Sequence, residues 1–247
     1  MRNKFATIAL ALLAIGCTTA NSSTPGEEEY IAAEEIYRTL DSEITKLANN
    51  YPGPDVPSTL NTIAKLKEHN ILIKTSAQKG FPPGIYRAAQ ILGSQPSIRG
   101  ISKQEICDLL NQAAEADLLA AKHAIFQFCS PNKVLFTLDS EEASVLMKPL
   151  EDALTLNDPY KRFYPLPTIG LAYCRLGDAA TTPDLKNANP FTILAMTRKP
   201  PLSYEEYLAE IYILLSNKEH EQNPNAAKQH KEKARELGCP SLSFFGI

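Results

Sequence analysis

Apolar residues recur along this chain at helical spacing. Over Glu27–Asn49 the positions Tyr30, Ala33, Ile36, Leu40, Ile44 and Leu47 form one stripe, with charged residues between them. That period predicts a single amphipathic helix. Residues 103–116 place Ile106, Leu109, Leu110 and Ala113 on one face, and residues 118–129 do likewise with Leu118, Ala121, Ile125 and Phe128. The two read as antiparallel helices turning near Asp117. One such hairpin cannot bury both its faces, so neighbours must stack on it. Sustained alternation of period two is missing, and strands are not expected. Ten of the 18 prolines gather at 52–57, 82–83, 159–167 and 200–201, between runs rich in Ala, Leu, Glu, Lys and Gln. Those runs favour helix, and prolines that punctuate them predict many short helices joined by turns. The predicted fold class is all-α.

Three helix ends share one pattern: Ser76-Ala-Gln-Lys-Gly80, Ala113-Ala-Glu-Ala-Asp117 and Ala234-Arg-Glu-Leu-Gly238. Each has a small residue four before a Gly, or before an Asp that tolerates the left-handed conformation a tight turn needs. Gly80 is followed at steps of four by Gly84, Ala88 and Leu92, and Asp117 by Ala121, Ile125 and Cys129. Small residues at this spacing let antiparallel helices approach closely. Leu150–Ala153, running up to Asn157, offers a further copy.

The segments TSAQKGFPPGIYRAAQIL, NQAAEADLLAAKHAIFQF and AEIYILLSNKEHEQNPNAAKQHKEKARELGCPSL resemble Sel1-like repeats, relatives of the tetratricopeptide repeat. The resemblance covers roughly 57–157 and 203–247. Pro82 and Pro83 depart from the usual helix start, and 158–202 does not fit the repeat. It implies an α-solenoid of antiparallel helix pairs over 27–247, with 27–49 as its amino-terminal cap and 158–202 as an irregular insertion. Solenoids present extended concave surfaces to partners.

The amino terminus carries a different signal. Arg2 and Lys4 precede an apolar run of eleven residues, Phe5–Ile15, then Gly16-Cys17 and the small polar stretch Thr18–Ser23. This order marks a secretory signal, and the run is too short to span a bilayer as a helix, which takes about 20 residues. Ala14-Ile15-Gly16-Cys17 resembles the bacterial lipoprotein signal. That implies cleavage after residue 16, lipid on the Cys17 thiol, and a polar tether over 17–26. Nine flexible residues, Thr18–Gly26, span about 15–18 Å on average. Thr18, in place of an aspartate, implies the outer membrane facing the periplasm in a Gram-negative cell, and otherwise the cell membrane.

Without residues 1–16 the net charge is (25 − 2) − 28 = −5. Nucleic-acid binding, which needs a concentrated basic footprint, is not expected. Beyond Cys17 the chain holds Cys107, Cys129, Cys174 and Cys239. Four cysteines in an oxidising compartment allow three pairings. Cys107 lies ten residues before Asp117 and Cys129 twelve after it, nearly the same height in an antiparallel pair. A Cys107–Cys129 bridge is compatible with that geometry if both face the shared interface; buried free thiols are the alternative. Cys174–Cys239 follows only as the remaining pair.

No catalytic or metal-binding constellation, and no cofactor fingerprint, is found. His220 and His230 lie in a charged stretch without metal-ligand spacing and read as solvated; His123 reads as a packing or hydrogen-bonding residue. β-Lactamase-like chemistry, described for some exported Sel1-like proteins, would use a serine with lysine three residues on. Ser76 with Lys79 and Ser130 with Lys133 match, but the accompanying Ser-Asp-Asn and Lys-Thr-Gly are absent. Pro159–Pro167 holds three aromatics and two basic residues between prolines, residue types enriched at binding hot spots. Arg162, Phe163 and Tyr164 are the candidate partner-binding residues; a connecting loop whose aromatics pack inward is the alternative. The expectation is a monomeric, lipid-anchored adaptor that binds a protein or peptide. An immunity or inhibitor lipoprotein is the second reading, and a peptidoglycan-directed enzyme the third.

Overall fold

A computed structural model describes residues 23–94, 102–131, 138, 140–178, 188–198 and 201–239. The signal segment 1–16, Cys17 and Lys133 lie outside the described residues. Among the described residues the fold is all-α apart from one short antiparallel pair. Helix α1 spans Glu27–Asn49 and buries Tyr30, Ala33, Leu40, Ile44 and Leu47. Glu27, Glu28 and Glu29 in its first turn suit the positive end of the helix dipole. Gly26 caps it in the left-handed conformation, φ 86°, and is buried, so it belongs to the packed fold and not to the expected tether. Helix α2 (Pro57–Gln78) returns antiparallel along α1, with Tyr37 against His69 and Lys65 Nζ 2.5 Å from Glu43 Oε1. Helix α3 is Pro82–Gly93, α4 is Lys103–Glu115 and α5 is Leu119–Ala124; α5 runs into one π turn at Ile125–Cys129. Pro82 and Pro83 fit at the start of α3, where the missing N–H has no intrahelical acceptor. Helix α6 is Glu141–Ala153, α7 Pro190–Thr197, α8 Tyr204–Glu219 and α9 Pro224–Glu236.

The three matching helix ends fold identically. Gly80, Asp117 and Gly238 all have positive φ, at 83°, 65° and 93°. In each, the N–H three residues past the helix reaches back to the small residue: Phe81 N to Ser76 O at 3.2 Å, Leu118 N to Ala113 O at 3.4 Å, Cys239 N to Ala234 O at 3.1 Å. This double-bonded termination satisfies carbonyls that the helix end leaves unpaired. Asn157 is not among the positive-φ residues, so the expected further copy does not share the turn.

Sulfur–sulfur bonds join Cys107 to Cys129, with Cα atoms 5.8 Å apart, and Cys174 to Cys239, with Cα atoms 4.8 Å apart. The first staples α4 to the π turn. The second ties a 3-10 turn, Tyr173–Asp178, to the residue just past α9.

Consecutive helices pack on one another from α1 to α5, and α8 pairs with α9. The segment after α6 breaks that order. Strand β1 (Leu166–Pro167) pairs with β2 (Pro201–Leu202). Helix α7 crosses back to α1, where Phe191 packs with Leu40, Ile44 and Leu47, and Asn189 Nδ2 donates to Ala48 O at 3.0 Å. Linear repeat stacks confine contacts to neighbours; here residues some 140 positions apart close on each other.

Candidate functional site

The segment from Asp158 to Pro167 supplies Lys161, Tyr164 and Pro165 to a surface groove. Helix α5 begins without a side-chain cap of its own. Buried Asp158 supplies one from a distance: its Oδ2 accepts from Leu119 N at 2.9 Å and from the Tyr164 hydroxyl at 2.8 Å. The Tyr164 oxygen in turn accepts from Ala120 N at 2.9 Å. Burial and the adjacent Asp158 charge hold the Tyr164 phenol well above its ordinary range, so it stays a neutral donor.

Of the three candidate contact residues, two point inward. Phe163 sits edge-on to Tyr30 and Phe81, at centroid distances of 5.6 and 5.0 Å. Tyr164 lies edge-on to Tyr204 and Tyr207, each at 5.5 Å. Arg162 remains 66% exposed and pairs with Glu27 at 2.6 Å. The aromatics of 159–167 thus dock the loop onto the helices, with Phe163 and Tyr164 half-buried.

What opens to solvent is a groove of about 440 Å³ between this loop and the start of α8. Tyr164, Pro165, Pro201 and Tyr204 line its floor region, and Lys161, Arg175, Glu205 and Glu206 bear charge around it. Lys161 Nζ lies 4.5 Å from the Tyr204 ring centre and 2.9 Å from Glu205 Oε1. That hydrogen bond holds the Glu205 carboxyl below its ordinary range. Arg175 pairs with Glu206 at 2.6 Å. Glu206 also completes a capping box, accepting from Ser203 N at 2.8 Å while Ser203 Oγ accepts from Glu206 N at 3.1 Å. The sequence reading missed Tyr204, Glu205 and Arg175. The Ser203-Tyr-Glu-Glu206 box was a legible helix-start signal for the first two; Arg175 had none.

Behind the groove lies a buried polar cluster. The Tyr86 hydroxyl donates to Pro167 O at 2.6 Å and lies 3.1 Å from the Tyr207 hydroxyl. Fully buried Glu210 accepts from Tyr173 N at 3.0 Å and Cys174 N at 2.7 Å, fastening the disulfide-bearing turn to α8. His123, also fully buried, lies edge-on to Tyr207 with Nε2 3.7 Å from Glu210 Oε2. Tyr86, His123, Tyr207 and Glu210 are all fully buried, and none of them lines the groove. His220 and His230 are half-buried, and His230 stacks on Tyr212. Ser76 is fully buried and donates to Gly26 O at 2.7 Å, while Lys79 pairs with Glu29, so that Ser–Lys pair is a helix end.

Among the described residues, no group of three His, Cys, Asp or Glu side chains is placed to hold a metal, and no helix is long and apolar enough to cross a membrane. No family model matches the chain, and no curated protein or solved structure matches it either.

Proposed function

We propose that this protein is a lipid-anchored binding scaffold of the cell envelope, built on Sel1-like helix pairs, which holds an extended segment of a protein partner in the groove beside Tyr164 and Tyr204. The observation that carries this reading is the groove's make-up: aromatic and proline surface bordered by ion pairs that solvent already reaches. The Lys161–Glu205 pair is about half exposed, and exposed pairs contribute only about 0–1 kcal/mol, so a partner's charged groups can exchange with it at little cost. Aromatic-lined grooves with prolines suit extended backbone. The membrane placement rests on the lipoprotein-like residues Ala14–Cys17.

A photocrosslinking side chain at position 205, in full-length protein in its own membranes, tests the groove. One discrete protein adduct, absent from a probe at Val145 and lost on Lys161→Ala, supports the reading. No adduct from position 205 or 161 in a folded protein overturns it. A captured enzyme silenced in a one-to-one complex would make the scaffold an inhibitor. Incorporation of labelled fatty acid, abolished by Cys17→Ser, tests the anchor separately.

A further inference from the structure

Helix α2 carries apolar residues outward as well as inward: Ile63, Leu66, Leu72 and Ala77 pack on the core, while Leu60 and Ile71 do not. Four of its five buried residues are polar: Thr59, Thr62, His69 and Ser76. Leu60 and Ile71 stand 52% and 64% exposed, and among the described residues no other helix carries two large apolar side chains this open. Eleven residues separate them, three helical turns, so they share one face about 16 Å long. Ala64, Lys67 and Lys74 are exposed on that same face, with Glu68 to one side. Among the described residues, neither Lys67 nor Lys74 has an ion-pair partner.

The chain enters the fold at the carboxyl end of this helix. Ser76 Oγ donates to Gly26 O, and Lys79 pairs with Glu29. Cys17 lies seven residues before Thr24, whose carbonyl accepts from Glu27 N. Seven residues reach at most about 25 Å, so a lipid on Cys17 keeps this end of α2 close to the bilayer.

We propose that the outward face of α2 rests on an anionic bilayer surface, with Leu60 and Ile71 entering the headgroup boundary and Lys67 and Lys74 meeting lipid phosphates. The inference rests on the reading of Cys17 as the anchor. An interfacial helix needs an apolar face flanked by basic residues, and lysines near an anionic surface add attraction. Two apolar residues give little free binding alone; the anchor supplies the proximity.

The chain contains no tryptophan, so one introduced tryptophan reports its own surroundings. Full-length Ile71→Trp and Leu60→Trp proteins, purified from membranes, are reconstituted into phosphatidylethanolamine vesicles containing phosphatidylglycerol. Val145→Trp, at a position 68% exposed on α6, is the control. The expected result is blue-shifted emission at 71 and 60, with quenching by brominated acyl chains severalfold greater than at 145. Lys67→Glu with Lys74→Glu is expected to abolish the difference. Equal quenching at 71 and 145 overturns the proposal. A blue shift without acyl-chain quenching also overturns it, since a second copy or a peptide would then cover the face. Mass analysis of the amino-terminal peptide separates the two readings. Acylated Cys17 without quenching sinks the α2 surface alone. Unacylated Cys17 with quenching on added vesicles sinks the anchor and keeps the surface.

Discussion

Ser76 and Gly84 meet so closely that a Cβ on Gly84 would stand 2.2 Å from Ser76 Oγ and 2.8 Å from Ser76 Cβ. This is the close approach of α2 and α3 that the small-residue spacing predicts. Gly84→Ala is therefore expected to destabilise by about 1–3 kcal/mol, the ordinary cost of overpacking. Ser76→Gly should recover part of that loss in the double variant, because it vacates the contested space while forfeiting the bond to Gly26. Thermal melting of the two single variants and the double variant checks the coupling; simple additivity would sink the account.

The shared helix ends predict opposite responses to exchanging glycine. Asp117 is the one non-glycine residue with positive φ among the described residues. Asp117→Gly should stabilise by up to about 1 kcal/mol, less whatever its exposed pair with Lys122 contributes. Nothing lies within 4 Å of a Cβ built on Gly80, yet its φ is 83°. Gly80→Ala should still cost about 1–2 kcal/mol through backbone strain alone. Chemical denaturation of both variants decides it, and a neutral Gly80→Ala would contradict the argument.

The two disulfides close loops of different size, with sequence separations of 22 and 65. Chain-entropy reasoning assigns about 3 kcal/mol to the shorter and about 4 to the longer. Paired Cys→Ala replacement at 174 and 239 should thus cost more than replacement at 107 and 129. It also loosens the turn that Glu210 fastens. Denaturant midpoints of the two variants give the order, and the reverse order would mean the native contacts around Cys107 outweigh loop entropy.

How far the sequence revealed this depends on range. The α1 stripe from Tyr30 to Leu47, the α4–α5 hairpin about Asp117 and the three left-handed ends are local, and each follows from spacing and turn chemistry. The return of Phe191 to Leu40 and Ile44 does not, because no local period records which distant surface a short helix covers. Nor does the burial of Glu210, which reads as an ordinary acidic helix residue until Tyr173 and Cys174 bring their N–H groups to it. Part of the groove was legible: segment 159–167 stood out by its aromatics and prolines. The direction each ring takes depends on Tyr30, Phe81 and Tyr207, far away in the chain, so the inward packing of Phe163 and Tyr164 was not readable.

Acid should weaken the fold through His69. Burial, with nearby Arg87, pushes this imidazole down to about 4, against about 6.5 in an unfolded chain. Above pH 6.5 both states hold it neutral and it adds no slope. As pH falls toward 4 the unfolded chain takes up the proton first, and stability drops by on the order of 3 kcal/mol. His230, also held low by burial, adds to the same slope. His69→Gln should flatten the fall in melting temperature over that window; an unchanged profile would assign the sensitivity to carboxylates instead.

The contact of α7 with α1 sets an order of events during synthesis. The Leu40–Ile44–Leu47 face of α1 emerges from the ribosome early; Ile63 and Leu66 of α2 follow soon, but Phe191 comes 144 residues after Leu47. Through most of translation that face is only partly covered. A chain halted before residue 188 would carry a sticky, half-finished surface, and chaperones that grip extended apolar stretches would have their natural substrate in this interval.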